Sequence, residues 1–487
     1  MSKWAVIINS MTYTSFFYYA LLAVVILLYY IVPGRIKWTV LLAGSMVFYW
    51  FLVKSPVMMG AFLAMILISY VFGILIRKTG SKAVLTAGII LSAAPLALSK
   101  ALEITATSIL HAERGGIVLP VGASFFTLQM IAYLVDVYKK EIKAQRNLLK
   151  YALYISFFPH IIQGPIPRYD QLAKQLYTPH KFCEQNIVEG FYMILWGFFL
   201  KYMIADKAGV IVDTVFYNPE TYKGMYALTA GCLYSIQLYT DFMSCVYLSR
   251  GAAKTMGIDV ISNFEQPYFA TSIKDFWRRW HISLSSWLRD YIYIPLGGSR
   301  NGKLRKYVNL VVVFLVSGIW HGGSFRFIFW GLLHAFYQIA GEVTYKARDR
   351  LYAFAGIEKD SYLRHIIKSI GTFFLVMIAW IIFRAPSLKT GLKMILSIFT
   401  VRNYWIFWND TLFTLGLGWK EWGVLMQSIV CLFVISYFKT KISVSGWLMR
   451  QHLIVRWTLC IGAILIIMTF GTYGFGYDAK AFIYGGF

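Results

Sequence analysis

Apolar stretches of about 20 residues, each long enough to cross a hydrocarbon layer roughly 30 Å thick, recur along the chain and are separated by short basic turns. Backbone inside a bilayer must satisfy its own hydrogen bonds, so a chain built this way folds as a bundle of membrane helices. Composition agrees, with 58% hydrophobic and 14% charged residues. A formal net charge of +25 would also suit a nucleic-acid binder, but Lys and Arg sit in short runs between apolar segments rather than along one soluble face. They read as topology signals and as contacts for anionic lipids or substrates, with no nucleic acid implied.

Spans are predicted at 16–32, 37–53, 57–76 and 84–98. The first lacks a basic leader and a small-residue cleavage site, so it reads as a retained helix. Arg35, Lys37, Arg77, Lys78 and Lys82 fill the first and third turns, whereas the second carries only Lys54. The positive-inside bias therefore places the first and third turns in the cytoplasm and the N-terminus outside. Segment 119–138 begins with Pro120 and Gly122 and ends in the run from Lys139 to Arg146. Segment 148–162 is short and is stopped by Gly164, Pro165 and Pro167, which suits a re-entrant or interfacial helix shielded by a central cavity. Further spans follow at 187–203, 226–246, 307–320, 325–340, 366–383, 422–438 and 453–470. The expected fold is an all-α polytopic membrane protein, a single domain over 1–487, with about 11 crossings plus re-entrant and interfacial helices around the cavity. The five cysteines show no CxxC or metal-type spacing, so neither disulfides nor a cysteine metal site is predicted.

Chemistry concentrates between Asp275 and Gly323. Ser272 followed by Asp275 resembles a capping box, and Asp275 can pair with Arg279 four residues on. One helix to about Asp290 would set Phe276, Trp280, Ser283 and Trp287 along one stripe and Arg278, His281, Ser285 and Arg289 along another, an interfacial pattern. His321 closes the apolar run 307–320, and an ionisable group at membrane depth is costly enough to be a functional candidate. Gly322 and Gly323 remove side-chain bulk beside it, so a substrate could approach closely; a satisfied structural histidine is the alternative. His281 is either an active-site group or an interfacial residue on a basic face. Asp241, preceded by Gln237 and Tyr239, is either a functional intramembrane group or a helix-packing partner.

The segments LPVGASFFTLQMIAYLVDVYKKEIKAQRN from Leu119, SFFPHIIQGPIPRYDQL from Ser156, FLKYMIADKAGVIVDTVF from Phe199, DFWRRWHISLSSWLRDYIYIPLGG from Asp275 and SGIWHGGSFRFIFWGLLHA from Ser317 together resemble the membrane-bound O-acyltransferase family. Within it they resemble the bacterial branch that O-acetylates alginate, peptidoglycan and cellulose. The first hundred residues and those after Ala335 match mainly in hydropathy. The chain departs from the pattern at His160 and Gln163 and in the tail FIYGGF from Phe482, which lacks an aromatic after Tyr484.

By position, the resemblance makes His321 the catalytic histidine and His281 a second active-site residue. It implies acetyl-CoA as donor substrate with no permanently bound cofactor or metal, a polysaccharide acceptor, a secreted or membrane-anchored acetyltransferase partner, and the bacterial cytoplasmic (inner) membrane. Phosphates of the donor would favour a cytoplasmic mouth with Arg278, Arg279, Arg289, Arg300 and Lys303. Trp280, Ser283, Asp290, Tyr293, Gln237, Asp241 and Gly322 are further candidates for contact with donor or substrate. Moving acetyl from a thioester to a hydroxyl needs a base near working pH and a donor for the developing oxyanion, roles two histidines can divide. Three readings compete. A D-alanyl exporter for teichoic acid would share the RRWH and WHG elements but draw on a carrier protein. A secondary transporter would often show inverted repeats, which are not seen here. A structural scaffold leaves the histidines and their glycines unexplained.

Overall fold

A computed structural model describes residues 11–109 and 119–473. Among the described residues the chain is helical, and its β pairing is an isolated antiparallel bridge between Phe264 and Trp280.

The first four helices are α1 (Phe16–Ile31), α2 (Lys37–Val53), α3 (Pro56–Thr79) and α4 (Lys82–Ile104). Local chemistry sets their ends. Ser15 and Ser55 cap α1 and α3 by accepting an N–H from the first turn, Pro56 occupies the first turn of α3, and Gly80 at φ +60° stops it. Helix α4 runs past the predicted Leu98 and widens into a π turn, Thr105–Ile109.

Helix α5 (Ala123–Tyr138) is followed by α6 (Leu148–Ser156), a nine-residue helix that stops short of the expected residue 162, ahead of Pro159 rather than at the Gly-Pro run. The chain then turns through a buried segment to α7 (Tyr169–Tyr177). Tyr177 donates its hydroxyl to the Lys150 carbonyl at 2.7 Å, and Tyr154 donates to Pro167 at 3.1 Å, so α6 and α7 close as a hairpin. This is the element expected to be re-entrant or interfacial. Its irregular tip is surrounded by protein, the one setting in which such backbone survives at membrane depth.

A long rod follows: α8 (Glu184–Phe199) passes through a π turn, Leu200–Ala205, into α9 (Asp206–Tyr217), and α10 (Met225–Thr255) packs against it. Gly190 and Gly251 allow the crossing, since a Cβ on either would lie 2.7 Å from the other's carbonyl oxygen. The expected single helix 272–290 is instead two, α11 (Ile273–Arg279) and α12 (Ile282–Leu288), and a π turn, Arg289–Tyr293. Then come α13 (Gly302–His321), α14 (Phe325–Val343), α15 (Tyr345–Phe354), α16 (Tyr362–Arg384), α17 (Leu388–Thr400), α18 (Trp419–Lys439), α19 (Val444–Met449) and α20 (Leu453–Phe470).

Every predicted span is a helix in the structure, and among the described residues seven stretches are both long and apolar enough to cross a membrane unaided: Gly34–Val53, Pro56–Thr79, Lys82–Ile109, Glu184–Tyr217, Tyr362–Arg384, Trp419–Lys439 and Leu453–Phe470. Helices α1 and α5 are shorter. Large apolar side chains face outward, as on Leu27 and Ile454, the pattern of a surface solvated by lipid rather than water.

Two apolar cores divide the bundle. One joins α1–α7 to the end of α10; the other is built from α9, α10, α11, α14, α16 and α18. A small cluster lies at their seam, with Leu96 of α4, Phe125 and Leu128 of α5, Leu284 and Trp287 of α12, and Trp320 of α13. The Trp287 and Trp320 indoles donate to the Leu128 and Ser124 carbonyls of α5, at 2.8 and 3.0 Å, and so lock the seam. Several basic turns meet on one face of the bundle: Lys37 donates to the His180 carbonyl, Arg77 to the Ala144 carbonyl, and Arg168 pairs with Asp290.

Candidate active site

His321 is the last residue of α13, only 2% exposed. Its Nδ1 lies 2.7 Å from the Ser317 carbonyl. A carbonyl only accepts, so Nδ1 carries the proton and Nε2 is the basic nitrogen of the neutral ring. Trp320, Trp330 and Phe383 surround the imidazole with centroids at 4.8, 4.9 and 5.7 Å.

His281 approaches the same place from another element. Its ring lies 6.1 Å from that of Trp320, 4.8 Å from Phe242 and 6.5 Å from Phe125, and the side chain is fully buried. The structure thus brings both predicted histidines to Trp320 and corrects the interfacial reading of His281. The correction has a long-range cause. The Phe264–Trp280 bridge pulls the chain out of α11, and Asn263 then takes the next two amides, accepting Ile282 N–H on its carbonyl at 3.0 Å and Ser283 N–H on Oδ1 at 3.1 Å. His281 sits at the break with φ +45°, which turns its ring inward. Aromatic rings line the space around the two histidines.

The glycines beside His321 also differ from expectation. A Cβ on Gly322 would lie 2.1 Å from the Phe327 ring, and one on Gly323 would lie 2.4 Å from Glu103 Cβ. The space beside each glycine is taken up by the Phe327 ring and the Glu103 side chain.

The predicted donor-contacting residues fall into three groups. Arg278 and Arg289 are exposed, Arg279 pairs with Asp275 at 3.0 Å as the i, i+4 spacing predicts, and Ser272 caps α11. Asp290 bridges Arg289 at 2.8 Å and Arg168 at 3.1 Å, and Tyr293 is half-buried beside Gly298. These surround the basic face. Trp280 and Ser283 instead belong to the interior: Trp280 stacks on Phe276, and Ser283 Oγ accepts the Ile166 amide at 3.0 Å. Asp241 and Gln237 lie on α10; Asp241 accepts from Lys201 Nζ at 2.7 Å, Lys201 also meets Asp206 at 3.0 Å, and Gln237 Nε2 packs against Gly209. That arrangement is the helix-packing alternative.

Sequence reasoning missed His334. It is fully buried, accepts from Trp277 Nε1 at 3.3 Å and shares the Trp330 ring with His321. The signal was present, since His334 interrupts an apolar run as His321 does. It also missed Lys201 and Asp206, at the edge of a predicted span. The two departures, His160 and Gln163, are buried at the hairpin tip, and their side chains have no hydrogen-bond partner among the described residues. The tail from Phe482 lies outside the described residues.

A buried imidazole with a fixed Nδ1 proton, backed by a second imidazole, can take and return a proton in acyl transfer. The comparisons with known proteins agree with that chemistry. The chain is 37% identical over 294 residues to a probable alginate O-acetylase of Pseudomonas syringae pv. tomato, covering 59% of this chain and 53% of that protein. A probable alginate O-acetylase of Azotobacter vinelandii is 33% identical over 391 residues, 76% of this chain and 74% of the relative. The peptidoglycan O-acetyltransferase of Helicobacter pylori is 36% identical over 311 residues, 58% of each. Teichoic acid D-alanyltransferases match at 27 and 28% identity. The chain thus spans little more than half the length of the Pseudomonas relative. The profile described as "MBOAT, membrane-bound O-acyltransferase family" matches residues 139–388, just over half of the chain, and includes both histidines and the hairpin; the chain belongs to the membrane-bound O-acyltransferase family.

Proposed function

We propose that this protein is a membrane O-acetyltransferase that takes acetyl from cytoplasmic acetyl-CoA and delivers it across the bacterial inner membrane for O-acetylation of an exported or cell-wall polysaccharide. The observation that carries the reading is the His321 imidazole, whose Nδ1 proton is committed to the Ser317 carbonyl. Nε2 takes the proton of the accepting hydroxyl as its oxygen attacks the thioester carbonyl. The carbon–sulfur bond then breaks, and the thiolate leaves with the proton returned by the imidazolium. His281 orients or polarises the donor carbonyl from the other contact of Trp320. Exposed Arg278, Arg289, Arg300 and Lys303 favour entry of the CoA phosphates from the basic face. That face is cytoplasmic in this reading, and the N-terminus lies outside. The acceptor hydroxyl is reached through a secreted or membrane-anchored partner.

Similarity to D-alanyltransferases keeps one alternative, acyl transfer from a loaded carrier protein. The purified protein is offered acetyl-CoA or an acylated carrier protein, and release of free thiol is followed. Thiol release from acetyl-CoA that is lost in His321→Ala supports the proposal; release from the carrier alone selects the alternative. Sidedness is read separately, by placing single cysteines in 77–82 and in 300–306. Both should resist impermeant thiol reagents in intact cells, and labelling of either overturns the orientation.

A further inference from the structure

His321 ends its helix, so the direction of its ring depends on how the chain leaves α13. The exit turn is held by an element distant in sequence, the last turns of α4. Glu103 Oε2 accepts the Gly323 N–H at 3.2 Å, and the Thr107 hydroxyl donates to the Gly323 carbonyl at 2.9 Å. Ser108 Oγ accepts the Phe325 N–H at 3.2 Å. Lys100 Nζ stands 3.5 Å from the same Glu103 oxygen.

Lys100, Glu103 and Thr107 are spaced three and four residues apart, one face of a helix. The π turn at Thr105–Ile109 adds a residue to that face, and Ser108 joins Thr107 on the exit turn. Gly323 is fitted to the clamp, because any Cβ there would collide with the Glu103 side chain. Both backbone polar groups of Gly323, its N–H and its carbonyl, are therefore satisfied from the end of α4. All four clamp residues lie outside the segment that matches the family.

We propose that Glu103 and Thr107 are positioning residues for His321. They hold the N–H and the carbonyl of Gly323 so that the imidazole stays aimed at the accepting hydroxyl, with Lys100 opposite the Glu103 carboxylate. The proposal rests on the reading of His321 as the base. It distinguishes hydrogen-bonding capacity from charge and from bulk: Glu103→Gln still accepts and Thr107→Ser still donates, whereas Glu103→Ala and Thr107→Val do not.

The test compares these four variants and His321→Ala in the full chain in lipid nanodiscs. Turnover and KM for acetyl-CoA are measured, together with the thermal unfolding midpoint; acetyl content of exported polymer in cells, per amount of protein, gives a readout independent of the donor. Glu103→Ala and Thr107→Val should lower kcat by about 10- to 100-fold with KM within about twofold, the scale of a small misplacement of a catalytic group. Glu103→Gln and Thr107→Ser should stay within about threefold of the parent. Unchanged turnover per folded molecule in Glu103→Ala and Thr107→Val, beside an inactive His321→Ala, overturns the clamp and leaves the base reading standing. Activity in His321→Ala overturns the base reading itself. Equal losses in the conservative and disruptive variants, tracking the unfolding midpoint, also overturn the proposal, since they mark a purely architectural role.

Discussion

Two buried polar centres lie among the apolar helices, and they are built on opposite principles. Around Lys201, one ammonium meets two carboxylates within 3.0 Å, on three successive parts of the α8–α10 pair. Around Trp320, two imidazoles are lined by aromatic faces, and His321 is oriented by one backbone carbonyl. From sequence, Asp241 and His281 were equally ambiguous, each a polar group in apolar surroundings. The difference is one of commitment. Charges that neutralise one another at hydrogen-bond distance are expensive to separate and serve the packing of helices. A neutral ring whose proton is fixed on Nδ1 has its basic lone pair on Nε2, the form that proton transfer requires.

Removing the base should have the largest effect. His321→Ala is expected to cut acetyl transfer by about 10²- to 10⁴-fold while protein abundance in the membrane stays near that of the parent. Near-normal transfer would erase the contrast between the centres. Lys201→Met should act in the opposite sense, leaving two buried carboxylates uncompensated at a cost of about 3–5 kcal/mol. Thermal unfolding and yield should fall while turnover per folded molecule persists; intact stability with lost turnover would move the ion cluster into the active site. Smaller again is Gly322→Ala, expected to destabilise by about 1–3 kcal/mol through collision with Phe327, and to recover in part when Phe327→Leu is added. Failure of the second change to help would return the glycine to a role in substrate access. Smallest is Arg289→Ala, on an exposed side chain, which should raise the KM for acetyl-CoA by about three- to fivefold and leave kcat alone. A fall in kcat with KM unchanged would argue against phosphate contact on the basic face.

Hydropathy and caps located the helices, because their boundaries are set by neighbours a few residues away. Ser55 with Pro56 and Gly80 is such a case. His321 was legible for the same reason, as an ionisable group in an apolar run. His281 was legible as a candidate but not as a position. Its inward turn depends on Asn263 and Phe264, and pairing of that kind leaves no periodicity. The room beside Gly322 and Gly323 was legible, but its tenants, Phe327 and Glu103, were not, since a missing side chain does not say what fills its space. Lys201 and Asp206 escaped because hydropathy placed a boundary where a π turn carries the helix on.

The α6–α7 hairpin carries a consequence for biosynthesis. Its return leg is secured by Ser283 Oγ, which accepts the Ile166 amide 117 residues upstream, and by Asp290, which pairs with Arg168. A nascent chain that has just emerged as far as α7 has neither partner, and an unpaired amide is costly in lipid. The native contacts of the hairpin are therefore completed only once α12 has been made, so its final packing joins an early segment of the chain to one made much later.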